Sequence, residues 1–384
     1  MRVVTPPKHI DPIQAARSGV AALKPYIPGK PIVEVKEELG LDEVVKLASN
    51  ECPLPLPADA IQAIAREAGN LTRYPDGHCR LLKRELAARL DIDPACLVFS
   101  NGAEESIRLV AQTFVNQGDR VIIPAPIFDA YETASILCGG EVVPVPLCDY
   151  RIDLAAILEH VDSRTKIIWL CSPANPTGPT IKRAEFDTFL TRLPDHVLVV
   201  LDEAYREFVT EPDCAHSETY LFRDDRVIGL RTFSKAFGMA GLRVGYALAH
   251  PSVIELIAKV KLPFNVNVLA QALALQMLTD DSFVRNHTRM IIDERDRTTR
   301  ALEKMGLMVV PSQTNFLFVE LPVECDSVFQ RLLAHGFIIR PGSVFGLPRF
   351  MRLSLGTPEQ NQRLIALLKN ILFSEGAPCT GDSK

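Results

Sequence analysis

The chain is short of the features that mark membrane, secreted and nucleic-acid-binding proteins. No apolar run approaches the ~18 residues that a membrane-spanning helix needs, which predicts no transmembrane segment. The segment Met1–His9 carries no apolar stretch, which predicts no secretory leader. Nine cysteines form no Cys-x-x-Cys pair and are odd in number, so free thiols in a reducing cytoplasm are expected rather than a disulfide framework or a cysteine metal site. Basic residues form no tract, and 42 of them against 47 acidic ones leave a net charge of −5. Such a surface has no pull on nucleic acid or on an anionic membrane. Neither an internal repeat nor a low-complexity segment is present, which excludes solenoid architectures.

What the chain does have is apolar content, 47% over 384 residues, enough for a large buried core. Short continuous apolar runs at 97–99, 120–124, 141–145, 166–170, 197–201 and 227–230 predict strands buried on both faces. Helical patterns at 104–113, 127–136 and 184–190 alternate with them. This rhythm predicts an α/β fold with a mostly parallel sheet. A long helical pattern at 281–305 ends at Gly306 and leads into a mixed set of strands and helices. The expected division is residues 1–44 as an arm and part of a small domain, 45–280 as a large domain, and 281–384 as a C-terminal small α+β domain.

Chemistry concentrates in the run Arg231-Thr232-Phe233-Ser234-Lys235-Ala236-Phe237-Gly238-Met239-Ala240-Gly241-Leu242-Arg243. An amine flanked by hydroxyls can capture an aldehyde as a Schiff base. Thr232, Ser234 and Arg243 can hold a phosphate dianion, and the glycines let the backbone come close. Asp202 follows an apolar strand, at the end where ligands bind in open α/β sheets. Asn101-Gly102-Ala103-Glu104-Glu105 sits between a strand and a helix, where backbone N–H groups favour an anion.

These segments occur together with Ser172-Pro173-Ala174-Asn175-Pro176-Thr177-Gly178, Pro126-Ile127-Phe128-Asp129-Ala130-Tyr131, Arg73-Tyr74-Pro75-Asp76-Gly77 and Leu47-Ala48-Ser49-Asn50-Glu51. Their wording and order resemble the fold-type-I aminotransferases that use pyridoxal 5'-phosphate (PLP), and most closely the histidinol-phosphate aminotransferase family. Two positions depart from that pattern: Ala174 stands where the family usually has Asn, and Ile127 where it usually has Thr. The resemblance implies a large domain with a seven-stranded, mostly parallel sheet. It implies that Lys235 carries PLP, that Asp202 pairs with the ring nitrogen, and that Tyr205 and Asn175 reach the ring's phenolic oxygen. It implies a ring stacked on Phe128 and a phosphate held by Ala103, Glu104, Thr232, Ser234 and Arg243. Tyr74 is implied to reach the phosphate in a partner subunit, so that a homodimer completes each site.

The same resemblance assigns the substrate end. Arg352 matches the small-domain arginine that grips a carboxylate, and Arg340 fits a second arginine suited to a phosphate. Tyr26 fits an N-terminal tyrosine that closes over that phosphate. The implied reaction interconverts L-histidinol phosphate and 2-oxoglutarate with imidazole acetol phosphate and L-glutamate, a step of histidine synthesis. Two alternatives share much of the pattern: an aromatic amino acid aminotransferase and a threonine-phosphate decarboxylase-like lyase. A regulator with an aminotransferase-like domain fits poorly, because only about 45 residues precede the first family segment and they hold no basic recognition helix. No metal ligand set is expected.

Overall fold

The computed structural model describes residues 10–23, 25 and 29–373. Its strands, in chain order, are β1 (Val45–Lys46), β2 (Leu97–Ser100), β3 (Arg120–Ala125), β4 (Glu141–Pro146), β5 (Thr165–Cys171), β6 (Leu198–Asp202), β7 (Val227–Thr232), β8 (Gly245–Leu248), β9 (Met308–Val310), β10 (Phe316–Glu320), β11 (Phe337–Ile338), β12 (Arg340–Pro341) and β13 (Phe350–Ser354). Strands β2 to β8 form one seven-stranded sheet in the order β2-β8-β7-β6-β5-β3-β4. Only β8 runs against its neighbours; the four pairs from β7 across to β4 are parallel. The mostly parallel seven-stranded sheet is therefore present.

The continuous apolar runs are explained by cover on both faces. Along β5 and β6, Ile167, Trp169 and Val200 join a core with Ile107 and Val110 of helix Ala103–Phe114 and Tyr131 of helix Ala130–Leu137. The alternate residues Ile168, Leu170, Val199 and Leu201 pack instead with Phe186 and Phe189 of helix Arg183–Arg192. Side chains on a strand alternate sides, so a strand sandwiched by helices must be apolar at every position. Each such side chain removed from water contributes about 1.5–3 kcal/mol.

Strand β8 begins inside the glycine-rich run after Lys235 and was hidden from periodicity by it. The helix expected at 127–136 starts later, at Ala130, because residues 126–129 are wall of a cavity. The long helix is Ser282–Lys304, and Gly306 past its end takes φ +80 with its N–H on the Glu303 carbonyl at 2.8 Å.

Beyond that helix, β12-β13-β10-β9 make a four-stranded antiparallel sheet. Strand β1 pairs in parallel with β11, Val45 opposite Phe337, tying the chain before the large sheet to the segment after the long helix. Among the described residues, no helix is long and apolar enough to cross a membrane.

Candidate active site

Four parallel strands end at one cavity. The segments that leave the C-terminal ends of β3, β5, β6 and β7 contribute Phe128, Asn175, Asp202 with Tyr205, and Thr232 with Lys235. Register brings Cys171 beside Asp202 at the tips of β5 and β6. Open α/β sheets bind ligands at this edge because the strand-to-helix turns splay apart there. The cavity holds about 730 Å³, and Arg340 and Arg352 of the small sheet close its other side.

Lys235 Nζ donates to the Ser49 carbonyl at 3.1 Å and lies 5.9 Å from the centre of the Tyr205 ring. Burial, and after it the Arg352 charge, lower the amine's pKa to about 8. A lysine so lowered has a substantial neutral fraction near pH 7–8 and can act as nucleophile or base.

A cradle for a dianion lies next to it. Thr232 Oγ1 donates to Ser234 Oγ at 3.0 Å and accepts from the Ser234 N–H at 3.1 Å. Arg243, held at φ +57, donates from Nη1 to Ser234 Oγ at 3.4 Å. Helix Ala103–Phe114 points its N-terminus at the same place, and Gly102 at its N-cap offers no side chain to the first amides. The approach depends on missing Cβ atoms. One on Gly102 would stand 2.7 Å from Arg243 Nη2, and one on Gly245 would stand 2.6 Å from the Ala103 nitrogen. The backbone amides of Ala103 and Glu104 and the three polar side chains therefore fit a phosphate.

Asp202 is 4% exposed. Its Oδ2 accepts from the Tyr131 hydroxyl at 2.7 Å and its Oδ1 from the Ala204 N–H at 2.9 Å. Burial raises its pKa to about 6, with both hydrogen bonds pulling the other way. Tyr205 accepts from Asn50 Nδ2 at 3.0 Å, which leaves its own proton to donate into the cavity, and burial pushes its pKa well up. Asn50 is tied in turn to Ser354, whose Oγ receives the Asn50 N–H at 2.9 Å. Phe128 meets Tyr131 edge-on at 5.8 Å, and Tyr131 stacks on Trp169 at 5.2 Å.

On the opposite wall, Arg340 and Arg352 are direct cross-strand partners on β12 and β13. Opposed residues of an antiparallel pair project to the same face. Arg352 donates from Nη2 to the Ala48 carbonyl at 2.7 Å and from Nη1 to Asn175 Oδ1 at 2.6 Å.

Lys235, Asp202, Tyr205, Ala103, Glu104, Phe128, Asn175, Thr232, Ser234, Arg243, Arg340 and Arg352 thus all line one cavity. Tyr74 does not: it is 82% exposed and stacks on Phe264 at 4.7 Å. Tyr26 lies outside the described residues. Sequence reasoning gave no role to Ser49, Asn50 or Tyr131, although all three sat in segments that carried the resemblance. Their partners are 71 to 304 residues away, and nothing local announces them.

The sheet order, the lysine at the strand edge and the phosphate cradle define an aminotransferase-type site, and the chain belongs to the class I and II aminotransferase family, whose profile matches residues 42–368. It is 42% identical over 362 residues to the histidinol-phosphate aminotransferase of Moorella thermoacetica, with 94% of each chain covered. The histidinol-phosphate aminotransferase of Geobacillus thermodenitrificans is 42% identical over 350 residues, 91% of this chain and 96% of that one. A solved structure of histidinol-phosphate aminotransferase from Sinorhizobium meliloti, in complex with pyridoxal-5'-phosphate, matches with a TM-score of 0.85 at 28% identity, covering 94% of this chain and 99% of that one.

Proposed function

We propose that this chain is a PLP-dependent histidinol-phosphate aminotransferase, exchanging the amino group between L-histidinol phosphate and 2-oxoglutarate. The reading is carried by the 42% identity to proteins of that name over nearly the whole chain. Two arginines side by side on one wall agree with it, because a phosphate dianion is better matched by two guanidinium groups than by one.

When bound, PLP supplies an aldehyde carbon and an electron-withdrawing ring that takes up the charge left at the substrate's α-carbon. The chain's own groups do the rest. Asp202 holds the proton on the ring nitrogen. Phe128 covers a ring face. Asn175 and Tyr205 donate to the phenolic oxygen; the amide nitrogen of Asn175 is available because its oxygen already accepts from Arg352. Ala103, Glu104, Thr232, Ser234 and Arg243 hold the phosphate. Lys235 Nζ would take the proton from the substrate's α-carbon and deliver it to the cofactor's C4′ carbon, and its lowered pKa suits both the uptake and the delivery. Arg340 and Arg352 grip the substrate phosphate in one half-reaction and the carboxylates of glutamate in the other.

We further propose a homodimer in which Tyr74 completes the partner's site, which the exposed Tyr74–Phe264 stack supports, and in which Tyr26 closes over the substrate phosphate. The proposed division is 45–280 for the cofactor domain and 1–44 with 281–384 for the small domain, supported by the separate seven- and four-stranded sheets. A cytoplasmic location is supported by eight cysteines that are all unpaired among the described residues.

The test is glutamate formation from 2-oxoglutarate by PLP-loaded protein, with L-histidinol phosphate compared to L-phenylalanine. A kcat/KM ratio of a hundredfold or more, ~2.7 kcal/mol of discrimination, supports the reading. Equal or reversed values would make this an aromatic aminotransferase.

A further inference from the structure

Tyr131 is wholly buried, and its hydroxyl spends its proton on one atom, Asp202 Oδ2 at 2.7 Å. Its ring has almost no freedom. It stacks on Trp169 at 13° between planes and meets Phe128 edge-on. One turn along, Ser135 donates to the Tyr131 carbonyl at 2.7 Å and receives the Trp169 indole N–H at 3.2 Å. A chain of fixed groups thus runs from β5 through helix Ala130–Leu137 to the cofactor acid.

The groups that face Asp202 are few. Tyr131 comes from the helix, Cys171 from β5, Glu203 and Tyr205 from its own segment, and Lys235 from the loop after β7. Cys171 is a buried thiol with its pKa pushed up, so it brings no charge. Glu203 is an anion that opposes a second charge nearby, and Lys235, with its pKa lowered to about 8, is mostly charged at pH 7 and favours the carboxylate without bonding to it. Of these side chains, Tyr131 is the one that donates a hydrogen bond to the carboxylate; the other donor is the Ala204 N–H.

We infer that Tyr131 is a positioning residue for the transamination chemistry: its hydroxyl sets the orientation and the charge of Asp202, and through Asp202 the proton on the cofactor's ring nitrogen. The inference rests on the proposed pairing of Asp202 with that nitrogen. Removing the hydroxyl leaves the carboxylate buried with one donor fewer. Burial favours the neutral acid, so less of Asp202 is ionised at pH 7, and a neutral acid holds a pyridinium weakly.

The experiment is titration of apo-protein with PLP in the absence of any substrate, followed by absorbance from pH 5.5 to 9, for wild type, Tyr131→Phe, Asp202→Asn and the double variant. Tyr131→Phe keeps the stacked ring. The expected result is PLP affinity about tenfold weaker at pH 7, with the acid limb of the binding curve moved up by about one pH unit, so that the defect shrinks toward pH 9. In the Asp202→Asn background the same change is expected to add nothing, because the two residues act as one unit. A defect that is constant with pH, or additive with Asp202→Asn, would make Tyr131 a packing residue and overturn the inference. Tight PLP binding by wild type with no change in Tyr131→Phe would overturn it too. No PLP binding by wild type would instead overturn the proposed function, and the inference with it.

Discussion

Arg352 and Asn175 stand 177 residues apart in the chain, and Nη1 of the first donates to Oδ1 of the second at 2.6 Å. A guanidinium only donates, so this bond fixes which way the Asn175 amide faces. One contact thereby ties Arg352 on the small sheet to the strand-edge loop of Asn175 on the large one.

Arg352→Lys should break that tie. A lysine is a point charge without the planar fork, and it cannot hold Ala48, Asn175 and an anion at once. Steady-state kinetics with L-histidinol phosphate should show kcat/KM down by about a hundredfold, ~2.7 kcal/mol, mostly through KM. A loss below threefold would remove Arg352 from the substrate site.

Arg340→Gln separates phosphate from carboxylate. Its charge sits beside Arg352 across the β12–β13 pair. The expected loss is about 10- to 100-fold in kcat/KM for L-histidinol phosphate, from one charge-assisted contact to a dianion, and much less for L-phenylalanine. Equal losses on both substrates would assign Arg340 to a general anion role.

Lys235 should capture PLP with a pH dependence of its own. The neutral amine is the nucleophile, and with a pKa lowered to about 8 its fraction grows as pH rises through that value. Stopped-flow absorbance of apo-protein mixed with PLP should show a capture rate rising from pH 6.5 and levelling above about 8.5. A rise that continues to pH 10 would mean the amine is not lowered. Lys235→Ala should form no ~420 nm band at any pH.

Much of this architecture is legible in the linear chain, for a physical reason. Strands covered on both faces must be apolar throughout, so β2, β3, β5, β6 and β7 announce themselves, whereas β4, expected to be buried on both faces, is a half-exposed edge strand. Residues that follow such strands fall at the ligand edge, which is why Asp202, Asn175 and Lys235 could be read. The remainder depends on contacts that no local pattern carries. Asn50 reaches Tyr205 over 155 residues and Ser354 over 304, and a lone Asn before Glu51 gives no sign of either. Tyr131 reads as one apolar residue on a helix face until the fold sets its hydroxyl against Asp202. Strand β8 was masked by the glycines that the phosphate cradle requires.

Behind Asp202, Glu203 and Arg231 form a buried ion pair at 3.0 Å, with exposures of 1% and 2%. Burial alone would raise the Glu203 pKa, but Arg231 and further partners such as Arg206 and Ser217 hold it below the ordinary range. A carboxylate lowered in the folded state contributes stability that is present above its unfolded value and lost as pH falls through the folded one. The pair should therefore be felt at neutral pH and fade in acid. Arg231→Met strands the Glu203 charge and should cost about 3–5 kcal/mol in denaturant unfolding at pH 7. The cost should fall in acid, where the stranded Glu203 takes up a proton. A loss under 1 kcal/mol at pH 7 would show that the pair is not a stabilising element.

Gly102→Ala tests the cradle against simple backbone strain, because the chain supplies its own control. Gly102 and Gly118 have nearly the same φ, +83 and +84. A methyl on either should cost about 1–2 kcal/mol of conformational strain. Their surroundings differ. A Cβ on Gly118 meets nothing within 4 Å, whereas one on Gly102 would stand 2.7 Å from Arg243 Nη2 and 3.2 Å from its Cζ. The arginine tip can move, and moving takes it away from Ser234 and out of the cradle. Both variants should therefore unfold at similarly lowered denaturant midpoints, but only Gly102→Ala should bind PLP and inorganic phosphate more weakly, by about tenfold, the value of one displaced charge-assisted contact. If Gly118→Ala weakened PLP as much, strain alone would account for the effect. If neither did, the phosphate would have to sit elsewhere than between Arg243 and the start of helix Ala103–Phe114.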